Sequence, residues 1–180
     1  MFAILNVSQN WIAEMTLKQL GKQLGDGGTW RAGVAVERRF LIDSVRVDST
    51  QISLQDGSGL SARNLVSPLT FTQILAFMRR RSRFRVFAAG IPWAGRVGTL
   101  RTRFGGTRIE GRVHAKTGSI GEVNTLSGYL ERSDTAATTR PCRVFSVQAN
   151  HHTLGGRAMT QAIDSLVVEL ARGTRCERRR

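Results

Sequence analysis

Lys116 lies in the stretch whose residue types most clearly indicate a reactive or binding site. The chain of 180 residues contains 27 lysines and arginines, of which only Lys18, Lys22 and Lys116 are lysines. Lys116 begins the sequence Lys-Thr-Gly-Ser at the end of a predicted strand over 113–119. A lysine ammonium is a compact charge whose pKa responds to its surroundings, whereas arginine remains charged. An anion site or a proton-transfer site is therefore one interpretation, and a surface lysine before a turn is the other.

Two more stretches place polar side chains where the backbone turns. Ser8 and Asn10 stand at the start of a predicted helix, where Ser8 could also be an N-cap and Asn10 a turn residue. The sequence Asp-Gly-Ser-Gly-Leu-Ser at 56–61, followed by Asn64, predicts a tight turn with close backbone approach. Each stretch alone has an ordinary structural explanation, so their meaning depends on whether they lie together.

Composition limits the broad class of protein. A chain of 180 residues with 41% hydrophobic residues predicts one soluble globular domain. No apolar run approaches the ~18 residues that span a bilayer, and the first residues lack the pattern of a signal peptide. The net charge of +14 keeps nucleic-acid binding open as an alternative. The arginines are nevertheless scattered and not interleaved with aromatic residues, so specific nucleic-acid binding is not expected.

Cysteine and histidine spacing does not indicate a metal site. Cys142 and Cys176 form no Cys-x-x-Cys pair, and neither has metal-ligand spacing to a histidine. Their pairing in a disulfide is left open. His151 and His152 follow a predicted strand, and we interpret them as a loop pair.

Periodicity predicts helices packed on a mainly antiparallel sheet, which is an α/β sandwich. Helices are predicted after Ser8, Thr29, Ser67–Pro68 and Gly155–Gly156, and strands over 51–54, 113–119, 123–130 and 142–149. The apolar positions expected to face the core are Ile12, Met15, Leu20 and Leu24 in the first helix, Trp30, Val34 and Leu41 in the second, and Ala158, Ile163, Leu166, Val167 and Leu170 in the last. We expect one domain over 1–172 and a basic tail over 173–180.

Taken together, these elements resemble the low-molecular-mass class C penicillin-binding proteins, the D-alanyl-D-alanine carboxypeptidase/endopeptidases. Lys-Thr-Gly is one of the short elements of penicillin-recognising serine enzymes. The matching pieces, in chain order, are Asn6-x-Ser-x-Asn10, Gly57-Ser-Gly-Leu-Ser-x-x-Asn64, Ala94-Gly95 with Gly98-Thr99-Leu100, and Ala115-Lys-Thr-Gly-Ser119. The resemblance implies a β-lactamase/transpeptidase-like sandwich without a cofactor or metal, acting by acyl transfer on peptidoglycan stem peptides and β-lactams.

The resemblance also implies roles for individual residues. Ser8 would relay a proton toward the leaving nitrogen, Asn10 would hold the substrate amide, and Lys116 would supply positive potential. Thr117 or Ser119 would bind the substrate carboxylate. The expected site residues are thus Ser8, Asn10 and Lys116 as catalytic groups, and Thr117, Gly118 and Ser119 as substrate-binding groups.

The nucleophile of the family is missing from this sequence. It lies in Ser-x-x-Lys, and the residues three positions before the lysines are Met15, Gln19 and Val113. The interpretation is a C-terminal part of such an enzyme, without the N-terminal strands and the nucleophile helix, and inactive alone. We expect an uncovered sheet edge and poor solubility in isolation.

The sequence is also compatible with two other functions. A relative without a nucleophile could bind D-Ala-D-Ala ends without cleaving them, and a nucleic-acid-binding domain is the second alternative. The resemblance places the parent enzyme in the periplasm or otherwise outside the cytoplasmic membrane, although the 180 residues show no export signal.

Overall fold

The structure is a computed structural model that describes residues 1–131 and 141–172. The α-helices are α1 (Phe2–Leu5), α2 (Asn10–Leu24), α3 (Trp30–Phe40), α4 (Pro68–Arg79), α5 (Phe84–Gly90) and α6 (Gly156–Arg172). The strands are β1 (Ile52–Ser53), β2 (Leu65–Val66), β3 (Val113–Ile120), β4 (Val123–Glu131) and β5 (Pro141–Ala149). A π-helical turn, Leu41–Val45, extends α3, and short 3₁₀ turns cover Ser49–Gln51 and Gly98–Leu100.

The main sheet is antiparallel, with strand order β3-β4-β5. Strands β3 and β4 are joined by the two-residue turn Gly121–Glu122, since Ile120 pairs with Val123. Gly121 has a φ of 51°, which suits a tight hairpin of this length. Strands β1 and β2 form a separate antiparallel pair. The predicted architecture of helices flanking a mainly antiparallel sheet is confirmed.

Helices cover both faces of the main sheet. On one face, Leu126 and Leu130 of β4 pack with Ile163 and Val167 of α6 in a buried apolar cluster. On the other face, Tyr129 packs with residues of α4 and α5, and its hydroxyl donates to the carbonyl oxygen of Leu75 at 2.8 Å. Lys116 pairs with Ser127, so the lysine projects from the same face as Tyr129.

The contact between β3 and β4 is unusually close immediately before Lys116. Gly128 pairs with Ala115, and a Cβ atom at Gly128 would lie 2.1 Å from the carbonyl oxygen of His114. It would also lie 2.5 Å from the Cα of Ala115. The absence of a side chain at Gly128 therefore sets the position of the strand that carries Lys116.

The predicted core faces of two helices are partly wrong. In α2, Leu20 and Leu24 are exposed, whereas Leu17 and Gly21 are buried. The reason is close packing through glycines, because a Cβ at Gly33 of α3 would lie 2.3 Å from the carbonyl oxygen of Leu17. The helices therefore meet through their small residues rather than through the large apolar ones.

Other predicted core residues are also exposed. Trp30 is half exposed, and its indole nitrogen donates to the Glu14 carboxylate at 2.7 Å. In α6, Ile163 and Val167 are buried as predicted, but Ala158, Leu166 and Leu170 are not. An apolar strip of α6 is therefore left facing solvent.

The predicted basic tail is not part of the described structure. Residues 173–180, with Cys176, lie outside the described residues, so the basic tail and the disulfide remain open. Within 1–131 and 141–172, no helix has both the length and the apolar character required to cross a membrane.

Candidate active site

Lys116 and Ser8 meet although 108 residues separate them in the chain. The Nζ of Lys116 donates to the Oγ of Ser8 at 2.8 Å and to the carbonyl oxygen of Thr117 at 2.7 Å. A hydroxyl that accepts a hydrogen bond from an ammonium group can lose its own proton more easily. The ammonium group therefore connects Ser8, before α2, with the backbone of β3.

Ser8 does not cap a helix. Helix α2 begins at Asn10, its N-cap residue is Gln9, and no side chain caps it. Ser8 has a φ of 58°, in the left-handed region that non-glycine residues seldom adopt. The prediction of an N-cap is wrong, because this conformation turns the hydroxyl toward β3 instead of toward the helix. Such local strain is found most often at functional positions.

Asn10 is the first residue of α2, two residues after Ser8, and it is exposed. In the described part of the chain, no hydrogen bond is formed by its side chain. The carboxamide therefore lies on the same short segment as the Ser8 hydroxyl and is accessible to a ligand.

The segment before Ser8 is held by the turn Gly98–Leu100. Asn6 is only 1% exposed, and its carbonyl oxygen accepts a hydrogen bond from the backbone nitrogen of Thr99 at 3.2 Å. Gly98 has a φ of 71°, and a Cβ there would lie 2.7 Å from both Asn6 oxygens. Glycine is required at this position both by its conformation and by the space available.

The same turn places a hydroxyl beside Thr117. Thr117 donates from Oγ1 to the Oγ1 of Thr99 at 2.9 Å. Thr99 was not predicted as a site residue, although Gly98-Thr99-Leu100 is part of the family resemblance. The sequence shows only a threonine after a glycine at this position, and this pattern does not predict that Thr99 will contact Thr117.

Thr117 and Ser119 share the face of β3 opposite to Lys116, because side chains alternate along a strand. Ser119 is exposed, and its Oγ accepts a hydrogen bond from the Nδ2 of Asn124 at 3.1 Å. Gly118 lies between them, and a Cβ on it would approach the Oγ1 of Thr125 to 2.5 Å. The strand end thus presents two hydroxyls on one face and the ammonium group on the other.

Burial lowers the pKa of Lys116 below its usual value. The cause is that the charged ammonium form loses solvation when it is buried.

Glu14 of α2 binds the second predicted element, the turn at 56–61, through hydrogen bonds. The carboxylate of Glu14 accepts hydrogen bonds from the backbone nitrogens of Gly57 and Ser58 at 3.1 and 3.0 Å. Burial alone would raise the pKa of Glu14, but the hydrogen bonds from Ser58, Gly57 and Trp30 together lower it. The turn is therefore hydrogen-bonded to α2, the helix that follows Ser8.

A buried aromatic and ionisable cluster lies two residues before Lys116. His114 stacks on Trp93 with ring centroids 4.9 Å apart, and its Nε2 lies 3.3 Å from the Oε1 of Glu131. Burial, with Arg96 nearby, lowers the pKa of His114 to about 4. Burial also raises the pKa of Glu131, although Arg112 opposes this shift. Both shifts favour the uncharged forms at the base of the strand.

We expect the free energy of unfolding to fall as the pH drops from 6.5 to about 4. Across this interval the unfolded chain binds more protons at His114 than the folded chain does, so acid favours unfolding. The expected loss is roughly 1–3 kcal/mol, measured by urea unfolding at several pH values. A His114→Phe variant, which retains Glu131, should lose less stability over the same interval. An equal loss in both proteins would contradict this assignment.

No group of three or more His, Cys, Asp or Glu side chains within the described residues could hold a metal ion.

A family profile and individual relatives match this chain along most of its length. The D-Ala-D-Ala carboxypeptidase 3 (S13) family matches residues 1–170. A D-alanyl-D-alanine carboxypeptidase of Actinomadura sp. (strain R39) is 35% identical over 173 residues, which is 93% of this chain and 30% of that protein. The chain thus spans about a third of the length of the curated relatives it matches.

Solved structures show the same fold. Penicillin binding protein 4 of Haemophilus influenzae superimposes with a TM-score of 0.77 and 27% identity, covering 94% of this chain and 38% of that one. A second structure of that protein, complexed with a β-lactam, gives a TM-score of 0.74 and 26% identity, covering 94% of this chain and 40% of that one. Since the family match covers nearly all 180 residues, the chain belongs to the D-Ala-D-Ala carboxypeptidase 3 family.

Proposed function

We propose that these 180 residues form the part of a serine-type D-Ala-D-Ala carboxypeptidase/endopeptidase that carries the secondary catalytic and substrate-binding groups. The reaction is acyl-enzyme hydrolysis of the terminal D-alanyl peptide of peptidoglycan, and β-lactams react as substrate analogues. The observation that carries this proposal is the 2.8 Å contact between the Nζ of Lys116 and the Oγ of Ser8.

The contact distances support a division of roles around that pair. Ser8, polarised by Lys116, passes a proton to the leaving nitrogen, and Asn10 holds the amide of the substrate. Thr117 and Ser119 bind the terminal carboxylate through their hydroxyls, and Thr99 joins them through its 2.9 Å contact with Thr117. A backbone N–H of the strand following Gly118 serves the oxyanion, a contact that can be worth about 2.7–4 kcal/mol in the transition state.

The nucleophile would be supplied by polypeptide outside these 180 residues. None of the three lysines is preceded by serine at the third position, and this chain spans 30% of the Actinomadura relative. The outer edge of β5 and the exposed strip with Leu166 and Leu170 offer a place where further strands could pack.

Incubation of the 180-residue chain with labelled benzylpenicillin should give no covalent adduct. The expectation follows from the missing Ser-x-x-Lys, and intact-protein mass spectrometry checks it. Addition of a polypeptide that carries the rest of a family domain, including Ser-x-x-Lys, should produce an adduct on that added polypeptide. An adduct on the 180-residue chain alone would contradict the proposed division of roles.

A D-Ala-D-Ala binding module is the second candidate function. It is favoured by the combination of carboxylate-binding hydroxyls with the missing Ser-x-x-Lys in these 180 residues. Retention on peptidoglycan without cleavage, and loss of retention in Lys116→Ala, would favour it over a role in catalysis.

Such an enzyme would work outside the cytoplasmic membrane, where peptidoglycan is found. The net charge of +14 would favour attraction to anionic wall material. Specific nucleic-acid binding is not part of the proposal, because the arginines are scattered along the sequence and not interleaved with aromatic residues.

A further inference from the structure

Two residues behind Ser119 form a chain of hydrogen bonds that ends at the surface. The Nδ2 of Asn124 lies 3.1 Å from the Oγ of Ser119, and its Oδ1 lies 2.8 Å from the Nε2 of His152. The Nδ1 of His152 lies 2.9 Å from the carbonyl oxygen of Leu154. Asn124 is only 4% exposed, so few other partners can reach its amide.

The Leu154 carbonyl determines which atoms donate and which accept in this series of hydrogen bonds. The Leu154 carbonyl can only accept, so the Nδ1 of His152 carries a proton in either charge state. With Asn124 oriented as in the structure, its Oδ1 also only accepts. Both ring nitrogens then donate, which requires the positively charged imidazolium form of His152.

Loss of a proton from His152 changes the direction of every bond toward Ser119. The Nε2 then becomes an acceptor, and Asn124 satisfies it only by rotating its amide so that Nδ2 donates to the ring. The Oδ1 now faces Ser119 and takes the hydroxyl proton. With charged His152, in contrast, Asn124 donates to Ser119, and the hydroxyl proton remains free for a ligand.

We propose that Asn124 and His152 are positioning residues that decide whether the Ser119 hydroxyl can donate to the substrate carboxylate. The proposal rests on the proposed function, in which Ser119 binds that carboxylate. Protonation of His152 therefore strengthens carboxylate binding, and its deprotonation weakens it. The titratable and charged groups on the neighbouring segments are Glu122 in the β3–β4 turn, His151 next to His152, and Arg157 in α6, and all three are exposed.

The first test needs no substrate. In NMR spectra of the 180-residue chain, the side-chain amide signals of Asn124 should shift with the same midpoint as the ring of His152. In a His151→Gln variant, a matched change at the neighbouring exposed histidine, this coupling should persist. Amide signals of Asn124 that remain constant through the titration of His152 would overturn the proposal.

The second test measures binding of an acetylated peptide ending in D-Ala-D-Ala at pH 5.5 and 8. A hydrogen bond to a charged group predicts roughly tenfold tighter binding at pH 5.5. His152→Gln, whose amide can donate at any pH, should bind equally well at both. Asn124→Asp, which can only accept, should bind weakly at both.

The two tests separate the two proposals. If Asn124 follows the titration of His152 but the peptide does not bind at any pH, the proposed function fails and the hydrogen-bond relay stands. If the peptide binds with the same affinity at both pH values in the unaltered chain, the control of Ser119 by His152 is wrong while the proposed function stands.

Discussion

Lys116→Ala is expected to slow penicillin acylation at least about a hundredfold when the chain is combined with a polypeptide that supplies Ser-x-x-Lys. The ammonium group contacts the Ser8 hydroxyl at 2.8 Å, and burial lowers its pKa. Its removal takes away both the proton relay and the positive potential near the substrate carboxylate. Stopped-flow measurement of acylation by a chromogenic β-lactam gives the rate.

The chain offers a close control for this substitution. Lys22 is an exposed lysine in the last turn of α2, whereas Ser8 precedes the first turn. Lys22→Ala therefore removes the same charge at the opposite end of that helix. Its acylation rate should stay within twofold of the unaltered protein. Equal losses in both variants would mean that net charge, and not the position of Lys116, governs the reaction.

Gly128→Ala is expected to lower the free energy of unfolding by about 3 kcal/mol or more. A methyl group there would lie 2.1 Å from the carbonyl oxygen of His114 and 2.5 Å from the Cα of Ala115. Both are backbone atoms, so strands β3 and β4 must separate to accept it. Urea unfolding followed by circular dichroism measures the loss.

A second glycine provides the matched control for this prediction. Gly105 has no neighbouring atom within 4 Å of an added Cβ. Gly105→Ala should change the free energy of unfolding by no more than about 0.5 kcal/mol. A stable Gly128→Ala protein would show that the two strands can move apart without loss of packing.

The sequence predicted the main elements because their signals are local. The strands at 113–119 and 123–130 differ from β3 and β4 by a single residue at the C-terminal end. The Ser67–Pro68 start of α4 was also predicted, and the Ser67 side chain accepts from the Thr70 nitrogen. A capping serine and a proline at the first helical position depend on neighbours in the chain alone.

The faces of the helices were harder to predict than the helices themselves. Leu20 and Leu24 fit helical spacing, yet the contact between α2 and α3 is made through Gly21 and Gly33. Hydrophobic spacing indicates which residues could be buried, but it does not say where another backbone will approach most closely. The exposed Leu166 and Leu170 show the same limit for α6.

For the candidate site, the residue types were visible and the geometry was not. Only the family resemblance connects Ser8 with Lys116, because the sequence gives no distance between residues 108 positions apart. The left-handed φ of Ser8 is set by tertiary contacts, so the capping interpretation was favoured by local rules and wrong. Thr99 and His152 belong to the candidate site only because their side chains contact Thr117 and Asn124, and no local sequence pattern predicts these contacts.

The long separation of Ser8 and Lys116 has a kinetic consequence. Closing a loop of 108 residues in an otherwise unstructured chain costs about 4 kcal/mol of entropy, whereas the β3–β4 hairpin needs only two residues in its turn. We therefore expect the hairpin to form early and the contact between Lys116 and Ser8 to form late in folding. Substitutions at Ser8 should then act mainly on the rate of unfolding, leaving the refolding rate nearly unchanged.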